Sequence, residues 1–108
     1  MATSREYKDY ISGQLDGLDV RIRPMMGGYL IYYREKLTGG LYGNEMAVKN
    51  VPAARALMPD IVPRPPYAGA KDALFVERVE DREFLAELFE AMYPELPDPK
   101  PRKQRGAK

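Results

Sequence analysis

The chain contains neither histidine nor cysteine. That removes the commonest general base, the thiol nucleophile and the nitrogen and sulfur ligands of transition-metal sites. Its aliphatic hydroxyls are Thr3, Ser4, Ser12 and Thr38, and none stands in the Gly-x-Ser-x-Gly context that presents a nucleophile on a strand-to-helix turn. Carboxylates are the groups left for acid–base work. Most fall on the expected solvent faces of helices, leaving Glu45 in a turn and Glu77 on the last strand as those whose burial would matter. Separation along a sequence does not define a carboxylate pair. No Asp-rich calcium loop is present. Gly39-Gly40-Leu41-Tyr42-Gly43 lacks the strand-to-helix setting and the Lys-Ser/Thr ending of a phosphate loop, and reads as a hairpin. The inventory predicts a non-enzymatic domain with no catalytic residues, no cofactor and no metal.

Met25-Met26-Gly27-Gly28 admits two readings. It is either a ligand clamp or a hinge, in which the glycines permit positive φ or close backbone approach and the methionines fill irregular space. The second follows from glycine's permissive backbone alone and is preferred. The strand that follows is apolar on both faces, with Tyr29, Ile31 and Tyr33 on one side and Leu30 and Tyr32 on the other. Helices cover only one face of a two-layer sheet, so the other face should meet something. A surface of Tyr29, Ile31 and Tyr33 with Arg21 and Arg23 is therefore expected to hold a partner. The first candidate is a second copy of the chain, since symmetric dimers are the commonest oligomers.

Charge gives the alternative. Of 17 basic residues, Lys100, Arg102, Lys103, Arg105 and Lys108 lie at the C-terminus with no acid among them. Twelve basic residues then face all 16 acids, leaving a formal charge of about −4 before the tail. Lys100, Arg102, Lys103 and Arg105, with Arg21 and Arg23, are candidate nucleic-acid contacts, the tyrosines serving as stacking surfaces. The acidic body, the absence of a helix-turn-helix or RNA-recognition signature, and the lack of aromatics in the tail favour a protein partner.

These residues are positioned by a readable order of elements. Thr3 and Glu6 have capping-box spacing. Tyr7, Tyr10, Ile11, Leu15 and Leu18 then recur at helical spacing to a stop at Gly17. Residues 20–23 alternate apolar and charged and predict a strand, with 24–28 as a bend. Strands over 29–34 and 37–42 are joined by a turn at Glu35-Lys36, and Gly39 and Gly40 mark a bulge or close packing. A turn at 43–45 leads to a strand over 46–49, and Pro52 opens a helix over 52–58. The proline-rich segment 59–72 is either a rigid crossover or a functional loop. A strand over 73–79 precedes a helix capped by Asp81, with its stripe at Phe84, Leu85, Leu88, Phe89 and Met92. The prediction is a two-layer α+β domain over residues 1–97, of order α-β-β-β-β-α-β-α, with helices on one face of a mainly antiparallel five-stranded sheet. Residues 98–108 are expected to form a disordered basic tail. No secretory or membrane-spanning segment is visible, which predicts a cytoplasmic protein.

Arg23-Pro24-Met25-Met26-Gly27-Gly28-Tyr29-Leu30-Ile31-Tyr32-Tyr33 resembles the Arg-x-Met-Phe-Gly-Gly-Tyr-Gly-x-Tyr signature of the TfoX/Sxy family N-terminal domain. Met26 replaces a frequent Phe and Leu30 a frequent Gly. Arg23, Met25, Gly27, Gly28, Tyr29 and Tyr32 carry the match, and residues 40–49, Pro66-Tyr67 and the last helix extend the resemblance over roughly 4–96. It implies a secretion-chaperone-like fold and a role in regulating transcription during natural competence. Competence regulators of that family add a helical C-terminal domain, whereas this chain ends in its tail, so the resemblance implies a stand-alone N-terminal-type domain.

Overall fold

The sheet is a meander. Short turns join its first four strands, and each strand pairs antiparallel with the next in the order β1-β2-β3-β4-β5. The computed structural model describes residues 3–98. Along the chain these are α1 (Arg5–Gln14), β1 (Val20–Met25), β2 (Gly28–Tyr33), β3 (Lys36–Leu41), β4 (Met46–Lys49), α2 (Pro52–Leu57), β5 (Ala73–Phe75) and α3 (Arg82–Met92), followed by a 3-10 turn at Tyr93–Glu95. This is the predicted α+β architecture and element order.

Ile11 of α1 and Leu15 just after it, Ala54 of α2 and the stripe Phe84, Leu85, Leu88, Phe89 and Met92 of α3 share one core with Ile31, Leu41, Met46, Val48 and Leu74 of the sheet. All three helices therefore cover the same sheet face. A smaller cluster of Ala47, Ala73 and Phe75, with Tyr42 against it, occupies the opposite face. The segment 59–72 lies over this cluster. Arg64 forms a two-bond bridge with Ala73 at 3.0 and 2.9 Å, its guanidinium stands 3.6 Å from the Phe75 ring centroid, and Tyr67 packs on Tyr42 at 5.7 Å. The proline-rich stretch is thus a cover for the β4–β5 half of the outer face.

Local departures have local causes. Ser4, not Thr3, caps α1, its Oγ accepting from the Tyr7 N–H at 3.1 Å. Thr3 is buried and donates its hydroxyl to the Leu41 carbonyl at 3.2 Å, so it cannot cap. Strand β1 continues through Pro24, which an edge strand tolerates because its outward side needs no ladder donor. The bend narrows to Met26-Gly27, with φ of 40° and 88°. The β2–β3 turn is Arg34-Glu35, one residue earlier than expected, with φ of 50° and 72°. Two successive positive φ values match the primed turns whose twist suits a two-residue hairpin. The bulge falls at Thr38, between the Ile31–Gly39 and Tyr32–Leu37 pairs. A Cβ on Gly39 would collide with the Ala47 carbonyl, so the close-packing expectation for that position holds. Strand β5 stops at Phe75: the Val76 N–H still reaches the Met46 carbonyl at 2.8 Å, but Glu77 already points to solvent.

Candidate functional site

The turns at one end of the sheet are sewn to the start of α1. The Thr3 N–H donates to the Gly27 carbonyl at 2.7 Å, and the Ser4 N–H donates to Asn44 Oδ1 at 2.8 Å. Gly28 is required beside them because a Cβ there would strike the Leu41 carbonyl. Two hairpin tips, the residues leading into α1 and the proline-rich segment consequently meet at a single end of the sheet.

Two grooves open there. The first, about 520 Å³, is lined by Met25, Met26, Gly28, Tyr42, Glu45 and Tyr67, among others. The second, about 540 Å³, lies against Tyr7, Asn44, Asp60, Val62, Phe75 and Glu77 and shares Glu45 with the first. Glu45 and Arg64 stand between them as an ion pair at 3.3 Å, and Arg64 also lines the second groove. The exposed large apolar side chains of the described residues gather at this end. Met26 is 96% exposed and Tyr67 55%, both on the first groove; Val62 is 78% exposed, on the second. Tyr10, 43% exposed, leans on Tyr7 of the second groove at 6.3 Å. Met26 is exposed on a backbone that a bulky residue rarely adopts.

Burial holds the Tyr7 phenol above its ordinary value, with Tyr10 and Glu45 adding to the effect. Burial does the same to Tyr42, with Tyr67 contributing. Both hydroxyls therefore keep their protons at neutral pH and can donate to a bound group. Two arginines of this region are already engaged by carboxylates: Arg64 by Glu45, and Arg78 by Asp81 at 2.7 Å. Asp81 is held below the ordinary carboxylate range, first by the Phe84 N–H that it caps and then by Arg78. Asp60 and Glu77 have no ion pair among the described residues.

The expected partner surface needs correction. Ile31 and Tyr33 are buried under the helices, and Tyr29 packs against the same core. They do not share a face with Arg21 and Arg23, which stay exposed on the other side opposite Tyr32 and Leu30. Because β2 is apolar on both faces, alternation alone does not tell which set the helices take. On the outward side the Arg21 guanidinium lies 4.9 Å from the Tyr32 ring centroid and 2.9 Å from Glu35. Of the signature positions, Met25, Gly27 and Gly28 line the first groove, Tyr29 supports the core beside it, and Arg23 and Tyr32 belong to the outer face. Glu45 and Glu77, singled out for acid–base chemistry, are both exposed. Among the described residues no three of His, Cys, Asp and Glu gather into a metal site, and no helix is long and apolar enough to cross a membrane. Lys100, Arg102, Lys103 and Arg105, and all of the predicted tail except Asp98, lie outside the described residues.

Sequence reasoning named the pieces of the first groove separately but did not join them. The signal available was the coincidence of Met25-Met26, Glu45 and Pro66-Tyr67 at turns. Three turns separated by about twenty residues each give no sequence indication that they converge.

No protein-family model matches the chain, and no solved structure matches it. It is 34% identical over 107 residues to an uncharacterized 12.7 kDa protein in the trpE 5′ region of Spirochaeta aurantia, an alignment spanning 97% of this chain and 93% of that protein.

Proposed function

We propose that this chain, which belongs to the same family as the 12.7 kDa Spirochaeta aurantia protein, is a non-enzymatic protein-interaction domain whose contact face is the grooved end of its sheet. One observation carries this reading: three of the four exposed large apolar side chains among the described residues, Met26, Val62 and Tyr67, line two grooves at one end of the sheet. Scattered apolar residues are normal on a soluble surface, whereas clustered ones mark binding sites. Tyr, Met and Arg, the side chains that form this face, are those enriched at protein interfaces. The TfoX/Sxy resemblance extends the reading to regulation of transcription, since three signature positions line the first groove.

The test is co-purification of the tagged protein from its native host, compared with a Met26→Glu, Tyr67→Ala double variant. Both positions are exposed, so the variant should retain its circular dichroism spectrum, with the melting temperature lowered only by loss of the Tyr67–Tyr42 ring contact. A discrete partner captured by the wild type and lost from the variant is the expected result. Capture of the same proteins by both, or of none by either, refutes the reading.

A homodimer through the opposite sheet region is the second reading. Leu30, Tyr32 and Leu37 are half-buried on the outer face, beyond the cluster that 59–72 covers. Sedimentation should then show a dimer that Tyr32→Glu dissociates; a monomer at high concentration removes it.

A further inference from the structure

The two grooves differ in charge, and that difference identifies what the partner presents. The first combines Met25, Met26, Tyr42 and Tyr67 with a single carboxylate, Glu45, which Arg64 neutralises. The second, with the adjoining hollow that shares Asp60, Ile61 and Glu77, carries Glu45, Asp60 and Glu77 against Arg64 and Arg78. Both guanidiniums are already bound, Arg64 to Glu45 and Arg78 to Asp81. Asp60 and Glu77 are left exposed, without an ion pair among the described residues, beside the apolar Ile61, Val62 and Val79. An uncompensated negative rim beside an apolar floor is complementary to a side chain with an apolar stem and a cationic head, or to neighbouring apolar and basic side chains.

We infer that the partner docks a short segment carrying an aromatic or aliphatic anchor followed by lysine or arginine, with the anchor in the Met25–Tyr67 groove and the cation against Asp60 and Glu77. This rests on the interaction reading above and adds the chemistry of the partner. The Glu45–Arg64 pair forms the ridge between the two contacts. The Arg64 guanidinium sits 3.6 Å from the Phe75 ring centroid, a cation–π contact that keeps the ridge in place while a segment crosses it. Tyr42 lines the first groove and Tyr7 the second, so a tyrosine stands on either side of the ridge.

Selection of a phage-displayed library of random peptides on the full chain tests this. Enriched sequences are expected to combine Leu, Phe, Tyr or Trp with Lys or Arg. Synthetic versions should bind the wild type less tightly as salt rises, and at low salt should bind about tenfold more weakly to Asp60→Lys, Glu77→Lys. Asp60→Asn, Glu77→Gln, which removes charge without reversing it, should give an intermediate loss and an unchanged melting temperature. Absence of enrichment overturns the inference, as does equal binding to the charge-reversed protein. Uncharged peptides that bind wild type and lose affinity for Met26→Glu, Tyr67→Ala overturn the charge assignment alone, leaving the interaction reading to co-purification. A peptide of residues 100–108 is basic but lacks an apolar anchor; if it binds as well as the selected peptides, the anchor is refuted.

Discussion

The two ends of the sheet use the same backbone device and put it to opposite ends. Met26-Gly27 at one end and Arg34-Glu35 at the other are both two-residue turns with positive φ throughout. At the second end Tyr33, Arg34 and Lys36 are all tied to α3 or the segment that follows it. The Tyr93 ring meets both the Arg34 guanidinium, 4.3 Å from its centroid, and the Lys36 ammonium, at 4.2 Å. Lys36 also donates to the Tyr93 carbonyl at 3.2 Å and pairs with Asp98 at 3.6 Å. Tyr33 donates to Glu90 at 2.6 Å, and Arg34 pairs with the same carboxylate at 3.7 Å. At the first end Met26 projects into solvent beside open grooves. Turn geometry fixes the hairpins at both ends, whereas the side chains decide that one end is locked and the other available.

The largest expected effect comes from breaking the seam that forms the grooved end. Gly28→Ala places a methyl group against the Leu41 carbonyl and should cost about 2–3 kcal/mol in urea unfolding, an overpacking penalty against backbone that cannot yield. Gly27→Ala, by contrast, meets no nearby atom, so its cost should come from its φ of 88° alone and be smaller, about 1 kcal/mol.

Next is the locked end. Lys36→Met keeps the buried stem but removes the ammonium from the Tyr93 carbonyl, its ring and Asp98, and should cost about 2 kcal/mol, the worth of a hydrogen bond to a charged group. Partner binding should be unaffected, because the change lies at the far end of β3.

Much of this was legible beforehand, and the remainder has physical reasons. The helix stripe of α3 and the meander follow from periodicity and turn residues. The inward side of β2 was not readable, because Tyr29, Ile31 and Tyr33 are no more apolar as a set than Leu30 and Tyr32 with their flanking strand. The Arg34-Glu35 turn carries no glycine or asparagine to announce two positive φ values. Thr3 and Ser4 are chemically equivalent caps, and a carbonyl on β3 decides between them. The grooves depend on residues 25–28, 42–45 and 66–67 meeting, which is a property of the sheet rather than of any local pattern.

A smaller effect sharpens the comparison at its strained residue. Met26→Asn restores the Asn-Gly pair that a primed two-residue turn prefers and should raise stability by about 0.5–1 kcal/mol. The same change should weaken partner capture. A stability gain joined to a binding loss would mean that the methionine is retained for contact rather than folding.

The smallest expected effect is in the alkaline range. Burial, followed by the hydrogen bond to Glu90, raises the Tyr33 phenol above the ordinary 10.0. The folded state therefore holds this proton more tightly than the unfolded chain. The associated stability is fully present below pH 10.0 and is lost as pH rises through the higher folded-state value. Tyr33→Phe should flatten part of that decline in a denaturation series run above pH 10.0, the remainder belonging to Tyr7 and Tyr42, which are raised as well.

The central claim, that contact is made at the grooved end, is tested most directly by placing a photoreactive benzoyl-phenylalanine at position 26 or position 35 and irradiating each protein in its native host. A discrete covalent adduct is expected from position 26 and none from position 35. Adducts of equal yield at both positions, or an adduct at position 35 alone, would contradict it.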